Sequence, residues 1–325
     1  MTERENALNT LLRGKPEWIP CRWTAVHQCG HSVMKETGPT DELGRRTGGL
    51  DCWGVRWVLT DQGADAPTPD GTQPPLLDDI TQWRERVRFP DVEGADWKSG
   101  AERELKNFDG TKLLVYFDTE GLFNRLTDLM GFEDAMCALI AEPEEAGELI
   151  GAIADHKIRI IEKAARFYKP DVFCYMDDFA ASTGPMISPE LYRRLFKHHH
   201  ARIIKAIREN GMIAEQHICG KWDVLMDDFA EIGIQVMFPA QPTNDLCGMQ
   251  EKYPHMAIVG GADSQGTIFS IHATPEAGTR EARRCFEEYA TSGRYMFHVS
   301  RSGPPNAAHE AFYEEAQRIA RKKHV

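Results

Sequence analysis

The sequence lacks the features that mark secreted, membrane-spanning and disulfide-rich proteins. It has no uninterrupted apolar run of the roughly 18 residues that a membrane helix needs. Its eight cysteines are scattered, with no Cys-x-x-Cys pair, so we expect mostly free thiols in a reducing compartment. The start, Met1 to Glu5, lacks the basic residues and the apolar run of a signal peptide. We therefore expect a cytoplasmic protein with no membrane contact.

Basic residues are also in short supply. Lysine and arginine number 38 against 50 aspartates and glutamates, which gives a formal net charge of −12. The one basic cluster is the terminal Arg321-Lys322-Lys323. This balance argues against a nucleic-acid partner, and an acidic surface also repels polyanionic substrates.

What the sequence does contain is a repeated alternation of strand and helix patterns. Strand-like apolar runs begin at Leu113, Val172, Ile234, Met256 and Tyr295, and another ends at Cys219. Helical patterns lie near residues 121–130, 133–141, 143–165, 188–210, 221–231 and 275–291. This alternation predicts a parallel sheet, and the number of units favours a closed (β/α)8 TIM barrel. We expect one domain over residues 1–325, with the less regular N-terminal part forming extensions over the barrel mouth.

Polar residues follow most of the apolar runs. Barrel enzymes carry their chemistry at the C-terminal ends of the strands, so these residues are the candidates for a site. They are His27, Gln28, Cys29, Asp118, Thr119, Glu120, Asp177, Asp178, His217, Cys219, Gln241, Asn244, Asp263, His298 and Arg301. Asp118 and Asp177 could instead cap helices. The adjacent His198, His199 and His200 are expected to be a surface feature, because neighbouring helical residues do not share a face.

His217 and Cys219 form a His-x-Cys pair at the end of one predicted strand. Side chains alternate along a strand with a period of two, so both point to the same face. An imidazole and a thiolate placed in this way can bind one zinc ion, although closed zinc sites normally supply three or four ligands. The plain alternative is a buried histidine beside a buried cysteine in the core.

Five segments of the sequence resemble the uroporphyrinogen decarboxylase superfamily. They are Met176–Phe179, Met186–Tyr192, Glu215–Gly220, Pro239–Asp245 and Gly260–Asp263. With weaker likeness elsewhere, the resemblance covers nearly the whole chain and implies a (β/α)8 barrel. The superfamily contains true decarboxylases and zinc-dependent methyltransferases that work with corrinoid proteins.

The resemblance favours the methyltransferase branch. In the decarboxylases an N-terminal segment similar to Met-Arg-Gln-Ala-Gly-Arg binds the substrate carboxylates, whereas residues 22–30 here lack the paired arginines. His217 and Cys219 match the His-x-Cys of the methyltransferases. The distant third cysteine of that branch is replaced here by His298 and the residues after it. The candidates for the third ligand are Glu120, Asp178, Gln241 and His298.

Likeness around Asp118–Phe132 and Pro239–Asp245 is closest to the aryl methyl ether demethylating methyltransferases. It implies methyl transfer from a small donor, a methoxylated aromatic, to the cobalamin cobalt of a separate corrinoid protein. Zinc with oxygen and nitrogen ligands suits electron withdrawal from an ether oxygen. The implied metal ligands are His217, Cys219 and His298; the implied catalytic residues are Asp178, Glu120 and Asp118; the implied substrate contacts are His27, Tyr116, Asp177, Gln241 and Arg301.

Two other functions stay open at this point. A cofactor-free decarboxylase acting on an acidic aromatic would use Asp178 or His217 to protonate a carbanion. A non-catalytic barrel would merely bind a small ligand or a partner. About one zinc per chain would favour the methyltransferase, and the residues leave a homodimer open as well.

Overall fold

The computed structural model describes residues 1–39, 47–59, 67–300 and 304–321. At its centre is a curled sheet of seven parallel strands. In chain order, which is also their order in the sheet, the strands are β1 (Val26–Cys29), β2 (Leu113–Asp118), β3 (Val172–Met176), β4 (Ile213–His217), β5 (Val236–Ala240), β6 (Ala257–Gly261) and β7 (Tyr295–His298). An isolated parallel bridge joins Cys21, just before β1, to Phe297 of β7. The predicted parallel sheet is confirmed, and the arrangement is consistent with a TIM-like barrel.

Helices connect the strands and cover the outer face of the sheet. The α-helices of the described residues are Glu3–Arg13, Arg22–Ala25, Trp83–Arg86, Trp97–Glu104, Leu122–Met130, Phe132–Ala141, Pro143–Phe167, Pro189–Leu195, Lys197–Glu209, Met226–Ile232, Leu246–Lys252, Pro275–Tyr289 and Ala307–Ala320. Their starts follow local chemistry. Ser188 accepts a hydrogen bond from the backbone N–H of Leu191, for example, and Pro189 takes the first helical position.

Alternate strand residues divide between two apolar clusters. Leu113 and Val115 of β2 belong to an inner cluster that also receives Ala7 and Leu11 from the first helix. Tyr116, which lies between Val115 and the next inward residue, belongs to the larger cluster beneath the outer helices. Both faces of the sheet are therefore buried, as is usual for parallel sheets.

The first helix, Glu3–Arg13, lies across the N-terminal end of the sheet. Arg4 donates its backbone N–H to the carbonyl of Thr111, just before β2, and pairs with Asp171, just before β3, at 2.6 Å. Arg294, just before β7, donates to the carbonyl of Leu11 at 2.7 Å. Together with its apolar face, these contacts make the helix a cover over that end of the inner cluster.

The N-terminal extension contains an antiparallel sheet of Gly49–Leu50, Arg56–Leu59 and Pro67–Pro69. Asp51 anchors this sheet to the barrel, because its carboxylate accepts a hydrogen bond from Arg125 at 2.8 Å. Both side chains are buried. The extension is thus fastened to the helix that follows β2.

No helix in the described ranges is long and apolar enough to cross a membrane. All eight cysteines are free thiols, and four of them are buried.

Candidate metal site

Three side chains that could bind a metal ion converge at the ends of β3 and β4. The ligand atoms of Asp178, His217 and Cys219 all lie within 4.8 Å of one another. His217 Nε2 is 3.7 Å from Cys219 Sγ and 3.8 Å from an Asp178 oxygen. Among the described residues these three form the one such group of histidine, cysteine and carboxylate side chains.

The strand register brings Asp178 to the other two residues. Met176 of β3 pairs with His217 of β4, so the residues after both strands leave the sheet at the same level. Beyond the sheet, Asp178 accepts a hydrogen bond from the backbone N–H of Cys219. Its own backbone N–H donates to the side-chain oxygen of Asn124. The carboxylate is therefore tied to both neighbouring segments.

The loop that carries Cys219 is held by side chains from the segment after β5. Gln241 accepts from the backbone N–H of Gly220 at 2.8 Å, and Asn244 accepts from that of Trp222 at 2.7 Å. Gly220 has a φ of +86°, and a Cβ there would lie 2.5 Å from the carbonyl oxygen of Ala180. Only glycine fits this turn without displacing the backbone. Gln241, predicted as a substrate contact, thus fixes the ligand loop.

Two aromatic rings enclose His217. The centroids of Phe117 and Phe238 lie 5.3 and 5.0 Å from the imidazole centroid, each at a steep angle. Burial lowers the pKa of His217, so the imidazole stays neutral. Burial, with the nearby Asp178 carboxylate, raises the pKa of the Cys219 thiol to about 12. A bound cation would favour the thiolate instead.

The donor set fits zinc. Zinc bound to nitrogen, sulfur and oxygen at its usual bond lengths and tetrahedral angles separates the ligand atoms by about 3.4–3.6 Å. The separations of 3.7 and 3.8 Å around His217 Nε2 are close to those values. One departure concerns His217 Nδ1, which is buried without a hydrogen-bond partner in the described structure. Metal-bound histidines usually donate from that second nitrogen.

Comparison with known proteins identifies the family. The model of the uroporphyrinogen decarboxylase (URO-D) family matches residues 108–314, more than half of the chain. The chain belongs to the uroporphyrinogen decarboxylase family. A methyltransferase from Methanosarcina mazei has a similar structure, with a TM-score of 0.71 and 15% identity over 98% of this chain and 99% of that one. No curated protein sequence matches the chain.

His298 lies apart from the three clustered residues of this URO-D family member. His298 is the last residue of β7 and lies on its inner face. The centroid of the Phe238 ring is 4.8 Å from the His298 imidazole centroid and 5.0 Å from the His217 imidazole centroid. Burial lowers the pKa of His298 well below the usual value. The expectation that His298 joins His217 and Cys219 is therefore corrected, and Asp178 takes that place.

Two of the predicted catalytic acids face the outer helices. Asp118 belongs to the opposite strand face from Phe117 and pairs with Lys157 at 3.1 Å. Burial is the main cause that raises the Asp118 pKa to about 8. Burial and the neighbouring Asp128 raise the pKa of Glu120 well above its usual value. Neither joins the His217 group, which corrects the expectation that all three acids line one site.

Because side chains alternate between the two faces of a strand, three predicted substrate contacts lie away from His217. His27 Nε2 lies 3.2 Å from the carbonyl oxygen of Glu104. The Tyr116 ring stacks on Phe173, with 5.2 Å between the centroids, and meets Tyr168 edge-on at 5.1 Å. Asp177 is fully buried and accepts hydrogen bonds at the start of the helix Leu122–Met130. The structure does not bring these residues to the metal site, and Arg301 lies outside the described residues.

The triple histidine is not a surface feature. His199 and His200 are buried, and His200 Nε2 lies 2.9 Å from an Asp177 oxygen. The prediction was wrong because His200 shares a helix face with the buried Ile203, Ile204 and Ile207, three, four and seven positions further along. That spacing was readable in the sequence.

A cavity of about 180 Å³ lies at the ends of β1 and β2. Residues 30–31, 34–38 and 116–119 form its walls, so the predicted Tyr116 and Asp118 contribute to it. Phe117 belongs both to this wall and to the surroundings of His217. Sequence reasoning missed Glu36 in this wall, because Glu36 lies in the irregular extension and follows no strand.

A buried ion pair lies inside the barrel near His217. Arg22 donates to both oxygens of Glu215, at 2.7 and 2.9 Å, and its guanidinium lies 3.7 Å from the centroid of the Phe238 ring. Both side chains are almost completely buried. Through these two hydrogen bonds the Arg22 guanidinium is already paired with a carboxylate of the protein itself.

Proposed function

We propose that this protein transfers a methyl group from a methoxylated aromatic to the cobalt of a corrinoid carried by a separate protein. Zinc held by Asp178, His217 and Cys219 would assist the transfer. The observation that carries the proposal is the convergence of these three side chains, with Cys219 Sγ and an Asp178 oxygen 3.7 and 3.8 Å from His217 Nε2. Membership of the uroporphyrinogen decarboxylase family supports it, since the family includes such methyltransferases.

Asp178, His217 and Cys219 would hold the zinc, which would supply a Lewis acid for the donor oxygen. The chain's own contribution is orientation and exclusion of water. Phe117 and Phe238 cover the His217 ring, and the bonds to Gln241 and Asn124 fix the two loops that carry the other ligands.

The cavity beside Phe117 is the proposed place for the donor ring. Its volume of about 180 Å³ exceeds the roughly 150 Å³ of a known cavity that accepts benzene, so it holds a single aromatic ring. Tyr116 and Asp118 contribute to its walls and would contact the donor there.

The engagement of Arg22 disfavours the decarboxylase alternative. A decarboxylase of an acidic aromatic needs a cation for the substrate carboxylate. The Arg22 guanidinium is already bound by Glu215 within the barrel interior. Releasing it would leave the Glu215 carboxylate buried and unpaired, which costs several kcal/mol.

The decisive test is a methyl-transfer assay with purified, zinc-loaded protein. The protein alone should not react with methoxylated aromatics, because no side chain is a strong enough nucleophile. Addition of a reduced corrinoid protein, or of free cob(I)alamin at high concentration, should yield the phenol and methylcobalamin, seen as loss of the cob(I)alamin absorption band. Release of carbon dioxide from an aromatic acid without cobalamin, and no methylcobalamin from any methoxyaromatic, would establish the decarboxylase instead.

Variants of the ligands connect this activity to the metal site. His217→Ala and Cys219→Ala should each lose zinc and methyl transfer while remaining folded, because both residues lie at or beyond the C-terminal end of β4 and the large apolar cluster forms from other residues. Cys247→Ala is the matched control, since Cys247 is exposed and outside the group. Metal analysis that finds full zinc occupancy in both ligand variants would refute the assigned site.

A further inference from the structure

Asn124 connects the helix Leu122–Met130 to the metal site without touching the proposed metal. We propose that Asn124 is a positioning residue that holds the Asp178 carboxylate facing His217 and Cys219. This inference rests on the proposed metal site and adds to it a residue that no strand-end pattern reveals.

The contact begins at the backbone of Asp178. Its N–H donates to Asn124 Oδ1 at 2.5 Å, and the Asp178 carboxylate then accepts the backbone N–H of Cys219 at 2.5 Å through Oδ1. The other oxygen, Oδ2, lies 3.8 Å from His217 Nε2. One oxygen is therefore committed to the loop, and the second faces the ligand group.

This division of the two oxygens sets the orientation of the Asp178 carboxylate. The N–H of Cys219 holds Oδ1 toward the loop, which turns Oδ2 toward His217. Oδ2 is therefore the carboxylate oxygen that would face a metal held by Asp178, His217 and Cys219.

Asn124 is itself held firmly by the neighbouring carboxylate. The backbone N–H of Asn124 donates to Asp177 at 3.1 Å, and that of Phe123 donates to the same side chain at 3.0 Å. His200 fixes Asp177 from the opposite side at 2.9 Å. The two segments therefore hold each other: Asp177 binds the backbone of Asn124, and Asn124 binds the backbone of Asp178.

Asn124 contacts the backbone of the proposed metal ligand Asp178 itself, so this hydrogen bond acts directly on the position of Asp178. Asn124 Oδ1 is the side-chain atom that fixes where the segment after β3 leaves the sheet, directly before the Asp178 side chain branches off. Loss of this acceptor would free the Asp178 backbone while leaving the zinc ligands unchanged. Outer contacts of this kind typically change metal affinity by about 10- to 100-fold when removed.

The test compares variants of Asn124 in the full chain. Asn124→Leu keeps the branching and the number of side-chain heavy atoms but removes the acceptor, whereas Asn124→Asp keeps an oxygen in the same place. Zinc affinity is measured by competition with a chromophoric chelator, and the coordination by the visible absorption of the cobalt(II)-substituted protein. Asn210→Leu is the matched control, because Asn210 caps an exposed helix end and bonds only within that helix.

We expect Asn124→Leu to weaken zinc binding by about 10- to 100-fold and to change the cobalt(II) spectrum. Asn124→Asp should stay within a few fold of the wild type, and Asn210→Leu should match it. If Asn124→Leu does not fold, Asn124→Ala replaces it with the same expectation. Wild-type affinity and spectrum in the folded acceptor-free variant would overturn the proposal, whatever its melting temperature, as would a wild-type chain that binds no metal. Metal results as expected, with no methyl transfer in the separate assay, would support the proposal and refute only the proposed function.

Discussion

His156 is a buried imidazole that the proposed chemistry does not use. It is fully buried in the helix Pro143–Phe167, and neither ring nitrogen has a hydrogen-bond partner in the described structure. Trp53 packs against the ring, and Nε2 lies 4.0 Å from a Glu36 oxygen. Burial lowers the His156 pKa to about 2, and the charges of Lys157, Arg159 and Arg125 act in the same direction.

This histidine should make stability depend on pH. Between pH 6.5 and about 2 the unfolded chain binds a proton at His156 and the folded chain does not, so the free energy of unfolding falls as the pH falls. The contribution is about 1.4 kcal/mol per pH unit. His156→Leu should flatten the pH dependence of urea unfolding between pH 6.5 and 5. His255→Leu is the comparison, because His255 is exposed, and an equal change in both variants would contradict this account.

At the scale of single residues, the sequence predicted His217 and Cys219 but misplaced several of their supposed neighbours. The strand predicted to end at Cys219 ends at His217, and Cys219 reaches His217 from the following loop rather than by strand alternation. Within β2, Phe117 and Asp118 point to opposite faces, so only one of them can face His217. Parallel strands are apolar on both sides, so the sequence does not say which face is the interior. Asn124 was missed because its role depends on a contact across 54 positions.

At the scale of elements, long amphipathic patterns were predicted well. The helix expected over residues 143–165 is observed as Pro143–Phe167, and the strand expected from Val172 to Met176 has those bounds. The helix expected over 188–210 is divided at Phe196 into two. The extension could not be predicted, since its short strands depend on distant partners such as the buried Asp51–Arg125 pair.

Lys157 joins two elements that are far apart in sequence. It lies on the helix Pro143–Phe167, and its ammonium group contacts Glu36 of the extension at 2.5 Å and Asp118 of β2 at 3.1 Å. All three side chains are buried. This one cation therefore links the extension, the helix and the sheet.

Replacing Lys157 by methionine should destabilise the fold by about 3–5 kcal/mol, because two buried carboxylates lose their cation. Urea unfolding measures the loss. Lys163→Met is the matched control on the same helix, since Lys163 pairs with the exposed Glu93 and such pairs contribute about 0–1 kcal/mol. Similar losses in both variants would show that the buried network does not fasten the extension.

At the scale of the whole molecule, metal binding should stabilise the fold without being needed for it. The proposed ligands lie at or just beyond the ends of β3 and β4, and the large apolar cluster forms from other residues. Free zinc at 100 times its Kd should raise the free energy of unfolding by about 2.7 kcal/mol. Chelation should lower the melting temperature and leave the far-ultraviolet circular dichroism unchanged. His217→Ala should show no response to zinc, and unfolding on chelation would contradict the prediction.

The helix Glu3–Arg13 covers the N-terminal end of the sheet, so a ligand cannot reach the interior from that end. The proposed donor and the proposed corrinoid partner would then both have to enter from the opposite end, where the strands have their C-terminal ends. A partner protein that binds there before the donor would block the entry of the donor. Turnover would follow a compulsory order, with donor first, partner second and phenol released last. An excess of the partner protein would slow the reaction that it is needed for.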